Sequence, residues 1–512
     1  MRQSSWGGWC AAGALVVMAM ASVGCAKAKA DPSLSKQVKP GAAPTNVPVP
    51  PENGPKLHTV KRGAKVFDKP GGAEIGELLV GGAVSRSAET MSGTDACPAG
   101  FYAVRPRGFV CSDDKVAVTP GSAAREPDLE HALPYRYGRA NATTPLYARV
   151  PTPDEQVASE PALGKHLVKS DKAATAVIHT GANDVPVDER GVATGGAVMT
   201  KASQGADSNG HRTRASFFEF NEAPAPSTSS GDAVATVLRK GSAVAISGTF
   251  MAPGPAGARR FGVLPDGTFL PVDRLDPILG SVFHGVDLAK DVALPIAFVL
   301  RNEVCPYRIA NAKATRLEDE EVDKRTPVEL TNKWREIDHV RYEETKDGNF
   351  FREKDIIKIV KRTKFPDFVV GDTKWIDVSL ALQTLTLYEG RKPIYVTMIS
   401  SGEGPLGDPA TTPATQMGTF KITKKAVFGD VDPKESKEAF DLVAAPWSLE
   451  FSPGYALRGA FWTENMGEAH AFHSINLSPI DARRIYQWVG GDVPVGWLGA
   501  AVPEEVTVYV RK

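Results

Sequence analysis

Six residues able to attack, bind or carry a proton gather near one end of the chain: Arg458, Glu464, Glu468, His470, His473 and Ser474. A serine can act as a nucleophile, but its hydroxyl must hand a proton to a positioned base during attack. Arg458 cannot be that base, because a guanidinium stays protonated. His473 adjoins Ser474, and neighbours in an extended segment point to opposite faces. His470 lies four residues before Ser474 and meets it only if the chain turns back. The histidines with Glu464 or Glu468 are metal-ligand types, yet no His-Glu-x-x-His helix and no Gly-x-x-x-x-Gly-Lys-Ser/Thr loop occurs. Neither a metal nor a cofactor is expected.

The elements that must position these groups are many and short. The chain has 512 residues, 48 of them Gly and 39 Pro, so turns are frequent and strands are favoured over long helices. Its length suggests about two to four domains. Lys and Arg number 60, as do Asp and Glu, which gives no electrostatic basis for binding nucleic acid. Arg2 followed by the apolar run Ala11 to Val23 reads as a secretory signal over residues 1–25. Residues 26–55, with Val47-Pro48-Val49-Pro50-Pro51, form an extended Pro-rich linker. Cys97 and Cys111 lie close enough in sequence for a disulfide suited to an oxidising compartment, worth about 3 kcal/mol in the chain-entropy picture. Cys305 reads as a buried unpaired thiol.

Ser22-Val23-Gly24-Cys25 resembles a bacterial lipobox, which implies lipidation of Cys25 and attachment to the outer membrane, Ala26 being the sorting residue. Residues 56–120 carry Val66-Phe67-Asp68, Ile75-Gly76-Glu77-Leu78, Phe101-Tyr102-Ala103-Val104 and Gly108-Phe109-Val110-Cys111. This order resembles a bacterial SH3-like barrel, its last hairpin stapled by Cys97 and Cys111. Residues 121–199 read as an irregular linker. Asp266-Gly267-Thr268-Phe269 and Asp347-Gly348-Asn349-Phe350 form a weak repeat around tight turns, predicting further β modules over 200–282 and 283–364. The predicted fold is mainly β with few short helices: tandem SH3-like β-barrel modules, then a C-terminal sandwich or barrel domain over 365–512.

That last domain carries the specific resemblance. Gln383-Thr384-Leu385, Ser400-Ser401-Gly402, Thr412-Pro413, Gly418-Thr419-Phe420-Lys421-Ile422, Asn476-Leu477-Ser478-Pro479-Ile480-Asp481-Ala482 and Gly496-Trp497 agree in order and spacing. Together they resemble the L,D-transpeptidase (YkuD-type) catalytic domain. The resemblance implies acyl transfer on peptidoglycan peptide stems, by a cysteine thiolate within Ser-His-Gly-Cys after an earlier His-Gly pair. Alignment on Asn476-Leu477 puts Ser474 at the nucleophile, His473 at the Gly, Phe472 at the motif His, Ala471 at the motif Ser and Arg458 at the base His. Gly459 and Trp462 keep family character, and with Asn476 they are expected to form the binding surface.

These replacements predict a peptidoglycan-associated envelope protein that has lost turnover. A thiol with an ordinary pKa of about 8.5 supplies some thiolate at neutral pH, whereas a serine hydroxyl does not. Two alternatives stay open on the sequence: an active transpeptidase using Ser474 with His470 or His473, and a purely structural envelope spacer. The expected partners are peptide stems and, through Cys25, the outer membrane.

Overall fold

The computed structural model describes residues 49–179, 181–188, 212–223, 231–288, 292–404, 407–431, 441–503 and 505–512. The signal segment, Cys25 and most of the Pro-rich linker lie outside the described residues. The fold is mainly β, as the Gly and Pro content predicts, with few short helices. Among the described residues no helix is long and apolar enough to cross a membrane.

One twelve-stranded sheet runs through the C-terminal domain and takes strands from residues 56–120, 121–199 and 200–282. Its centre is formed by Leu442–Ser452, Lys424–Val431 and Trp497–Ala501. On one side Ala243–Ile246 joins it in parallel through Ala243 and Leu442, followed by Arg136–Ala140 and Leu275–Ile278. On the other side Glu74–Leu78 pairs antiparallel with Trp497–Ala501, Gly76 opposite Ala500 and Glu77 opposite Gly499. Gly76 is required there, because a Cβ would lie 2.4 Å from the Trp497 ring. Lys65–Phe67, Phe109–Cys111 and Phe101–Ala103 complete that flank, where Cys97 and Cys111 are disulfide-bonded. Cys305 is a free, buried thiol.

The expectation of SH3-like β-barrel modules is corrected by this topology: among the described residues no sheet closes into a barrel. Closure requires the two edge strands to hydrogen-bond with a consistent stagger. In residues 56–120 the strand Glu74–Leu78 spends its edge on Trp497–Ala501 instead, while Ala83–Ser85, Lys56–Thr59 and Val116–Ala117 form a separate three-stranded sheet. Within 283–364 a seven-stranded sheet runs open from Lys313–Arg316 to Ile356–Ile359. Residues 121–199 carry the strands Arg136–Ala140 and Thr144–Tyr147 and the helices Pro153–Ser159 and Leu163–Ala173.

A six-stranded sheet, with Lys392–Met398, Thr384–Glu389, Lys374–Ser379 and Thr507–Arg511 at its middle, shares the main core with the long sheet. Period-2 alternation explains which residues meet: Ile376, Val378, Leu385 and Leu387 enter this core beside Val427, Leu449 and Leu498. The helix Pro479–Val489 lies against it, opened by Ser478, whose hydroxyl accepts from the Asp481 amide, and ended at Gly490. The buried Asp481 carboxylate fastens this helix down. It accepts the Gly285 amide at 3.0 Å, the Thr397 hydroxyl at 2.5 Å and the Tyr395 hydroxyl.

Between Arg136 and Ile278 a second, ionic core forms. Glu160 accepts Arg259 at 2.7 and 2.9 Å and Arg274 at 2.9 Å, while Asp273 takes Arg259 at 2.7 Å and His166 at 3.0 Å. Burial alone would raise the Asp273 pKa, but its bonds from Arg259 and His166 outweigh this and hold it at about 2. A depressed carboxylate pKa adds stability above its unfolded value of 3.8, which disappears as pH falls toward 2. Asp273→Asn is expected to cost about 2 kcal/mol at neutral pH by removing one of the two carboxylates that hold Arg259. It should also flatten the fall in stability between pH 4 and 2, read by urea unfolding across that range. Gly76→Ala is expected to cost about 2 kcal/mol by overpacking against Trp497. A red shift of tryptophan emission should accompany that loss.

Candidate active site

The candidate site grows from two short strands running in parallel. Tyr455–Gly459 pairs with Ile475–Leu477, setting Leu457 beside Ile475, Arg458 beside Asn476 and Gly459 beside Leu477. Alternation sends Leu457, Ile475 and Leu477 into the main core and leaves Ser474, Asn476 and Arg458 on the other face. Ser474 therefore sits next to Ala456, whose amide donates to its Oγ at 3.3 Å. Ser474 is 1% exposed and Arg458 6%. Arg458 Nε donates to Asn476 Oδ1 at 3.3 Å.

Ser474 and Arg458 line a cavity of about 220 Å³ whose charges come in both signs. Arg62 and Lys424 join Arg458 there, facing Glu77, Asp430 and Glu450. Arg62 and Glu77 belong to the first β segment, and Arg62 reaches Asp430 at 2.6 Å and lies over the Phe428 ring. Nothing in residues 56–120 marks Arg62 or Glu77 as site residues. Only the pairing of Glu74–Leu78 with Trp497–Ala501 carries them to the cavity.

Neither imidazole hydrogen-bonds to the Ser474 hydroxyl. His473 Nε2 donates to the Thr412 carbonyl at 3.1 Å, and its ring stacks on Tyr455 with centroids 5.2 Å apart. Its backbone has φ of +56°, and the Ser474 amide bonds to the Phe472 carbonyl across it, a strained three-residue turn. His470 is 53% exposed and lies 3.1 Å from Glu468, which also pairs with Lys324 at 2.5 Å. The Lys324 ammonium holds the Glu468 carboxyl below its ordinary pKa. Trp462 packs edge-on against Phe461 and does not line the cavity. Gly459 is fixed by space, since a Cβ would meet Pro446 at 3.0 Å and Ala482 at 3.3 Å. Among the described residues no three His, Cys, Asp or Glu side chains are grouped to hold a metal.

The Gln383 and Ser-Ser-Gly positions support the strand that carries Ser474. Gln383 donates to Ser401 Oγ at 2.7 Å and accepts the Ser401 amide at 2.8 Å, while the Gly402 amide donates to Thr415 Oγ1 at 2.8 Å. Held in this way, Ser400 exchanges backbone bonds with Asn476, and Gly402 bridges to Ala471.

Residues 373–496 match the family described as the L,D-transpeptidase catalytic domain, YkuD. An L,D-transpeptidase-like domain is thus present in this chain, consistent with a cell-wall-associated role. The matched segment contains no cysteine. Among solved structures, the chain is similar to the catalytic domain of the Enterococcus faecium L,D-transpeptidase, at 15% identity over 27% of this chain and 98% of that one, TM-score 0.21. It is also similar to an L,D-transpeptidase from Stackebrandtia nassauensis, at 23% identity over 30% of this chain and 62% of that one, TM-score 0.20. One from Mycobacterium smegmatis shares 20% identity over 35% of this chain and 77% of that one, TM-score 0.21. No curated protein matches the chain.

Gln383→Ala is expected to cost about 1–3 kcal/mol, because it leaves the buried Ser401 amide without its acceptor. Hydrogen exchange at the Ala471 and Asn476 amides should speed up more than at the Val378 amide. Equal acceleration at all three would mean that Gln383 does not hold this strand in place.

Proposed function

We propose that this protein is an envelope protein that holds peptidoglycan peptide stems at its L,D-transpeptidase-like domain without catalysing their crosslinking. The observation that carries the reading is the state of Ser474. Its hydroxyl accepts from the Ala456 amide, a permanent cation stands beside it at Arg458, and both nearby imidazoles are bonded elsewhere. A serine in that setting has no imidazole to take its proton, so acyl-enzyme formation lacks the base that the family uses.

The left-handed backbone at His473 supports the same register. A γ-turn with positive φ is the conformation that a glycine adopts without penalty, and the family places a glycine there. The turn is present here without the thiol or the base histidine. The cavity's mixture of guanidinium, ammonium and carboxylate groups suits a peptide stem, which carries both carboxylates and amines. Secretion through residues 1–25 and a lipid on Cys25, with the Pro-rich run as a tether, would put this domain at the outer membrane facing the wall.

The test incubates the protein with purified sacculi. Expected are co-sedimentation, a muropeptide profile without new meso-diaminopimelate crosslinks, and an unchanged intact mass after exposure to a carbapenem. Arg62→Glu should weaken sedimentation about tenfold, through a reversed charge in the cavity. New crosslinks or a carbapenem adduct, either one lost in Ser474→Ala, would establish an active enzyme instead. No sedimentation at all would leave a spacer.

A further inference from the structure

On the far side of the C-terminal domain from its core, the alternation that buries Ile376, Val378, Leu385 and Leu387 leaves a polar row facing outward. In the pairing of Lys374–Ser379 with Thr384–Glu389, Ser379 lies opposite Thr384, Asp377 opposite Thr386 and Trp375 opposite Tyr388. Arg511 comes alongside Ser379 from the parallel strand Thr507–Arg511. The basic segment 358–364, which leaves the strand Ile356–Ile359, covers this row and encloses a groove of about 340 Å³. The groove shares no residue with the Ser474 cavity.

Two features of the groove point to a ligand. The first is charge. Asp377, itself buried, fixes Arg511 at 2.9 and 3.1 Å and Arg362 at 2.7 Å, so one carboxylate holds two guanidiniums. Lys361 and Lys364 also line the groove and form no ion pair among the described residues, whereas Lys358 is taken by Glu343 at 2.6 Å. Four cations therefore answer to a single carboxylate. The second feature is a pair of idle hydroxyls. Thr384 is 4% exposed and Thr386 6%, both line the groove, and neither hydroxyl has a hydrogen-bond partner among the described residues. Neither oxygen is sealed off from solvent, so both stand open to a ligand in the groove. Two residues apart on one strand, these hydroxyls share a face about 7 Å apart, a spacing that two oxygens of one phosphate can bridge.

We propose that this groove binds a phosphate group, held by the Thr384 and Thr386 hydroxyls and by Arg362, Arg511, Lys361 and Lys364. Phosphate accepts several charge-assisted bonds at once, and fixed guanidiniums beside hydroxyl donors match its oxygens. Asp377 acts as a positioning residue, orienting both arginines without touching the ligand. Val360 and Leu382, the apolar residues at the rim, leave room for what the phosphate is attached to. The phosphate is either that of a soluble ester or that of a lipid headgroup.

Titration of the full-length protein with inorganic pyrophosphate by calorimetry, and flotation with phosphatidylglycerol–phosphatidylcholine vesicles against phosphatidylcholine alone, tests this. Saturable binding of one pyrophosphate per chain is expected, weakened about tenfold in Thr386→Val and at least as much in Lys361→Ala/Lys364→Ala. Thr386→Val is isosteric, and an unchanged thermal midpoint confirms that it folds. Binding of pyrophosphate without flotation assigns a soluble ester. Flotation that requires phosphatidylglycerol and is lost in Thr386→Val assigns a headgroup. Failure to bind either probe, or binding that is the same in Thr386→Val, overturns the site. Sacculus binding does not enter this test, so its outcome is independent of the function proposed for the Ser474 cavity.

Discussion

A sheet edge is a row of backbone donors and acceptors that must find partners, and in this protein the edge of Trp497–Ala501 finds them in another part of the chain. Its pairing with Glu74–Leu78 makes one continuous sheet from what would otherwise be two. The consequences run in both directions. The first β segment cannot close on itself, because the strand needed for closure is committed elsewhere. The cavity beside Ser474 in turn gains Arg62 and Glu77 from a segment that begins more than 350 residues earlier. Gly76 is the local condition for this junction, since only a residue without a Cβ lets the Trp497 ring lie flat against the strand.

The parts of the fold that were legible in the sequence are those with strong local signals. Alternation over Trp375 to Met398 marks strands whose inner residues do fill the core. The run Ser478-Pro479-Ile480-Asp481, quoted for its family resemblance, proves to open a helix. The barrels were misjudged because strand content and turn spacing are the same in a barrel and an open sheet. What distinguishes them is where the last edge goes, and that is decided by a partner far away in sequence. The strands at Arg136–Ala140 and Thr144–Tyr147 are too short, and too broken by Gly138 and Pro145, to carry a period of their own.

The candidate site divides along the same line. Ser474, Arg458 and Asn476 share one face of a two-strand pair, which follows from period 2 once the strands are known. The direction of His473 could not be read in the same way, because its φ of +56° breaks the extended geometry on which a face assignment depends. Its ring turns to Thr412 and Tyr455 as a result. The outward row of Ser379, Thr384 and Thr386 follows from the same alternation that fills the core. Its meaning lies in the charged segment 358–364 that folds over it, which no local pattern announces.

The junction at Gly76 and Ala500 also bears on how the chain is made. Synthesis delivers Glu74–Leu78 first, and its partner arrives only after almost the entire remaining sequence has emerged. Such a distant pairing is slow to form, because a very large loop must close before any backbone bond rewards it. Until then the early segment waits with a bare strand, the state most prone to recruit a neighbouring copy. The disulfide between Cys97 and Cys111 closes a loop of only local span, so it can tie this waiting segment together long before the rest of the sheet exists.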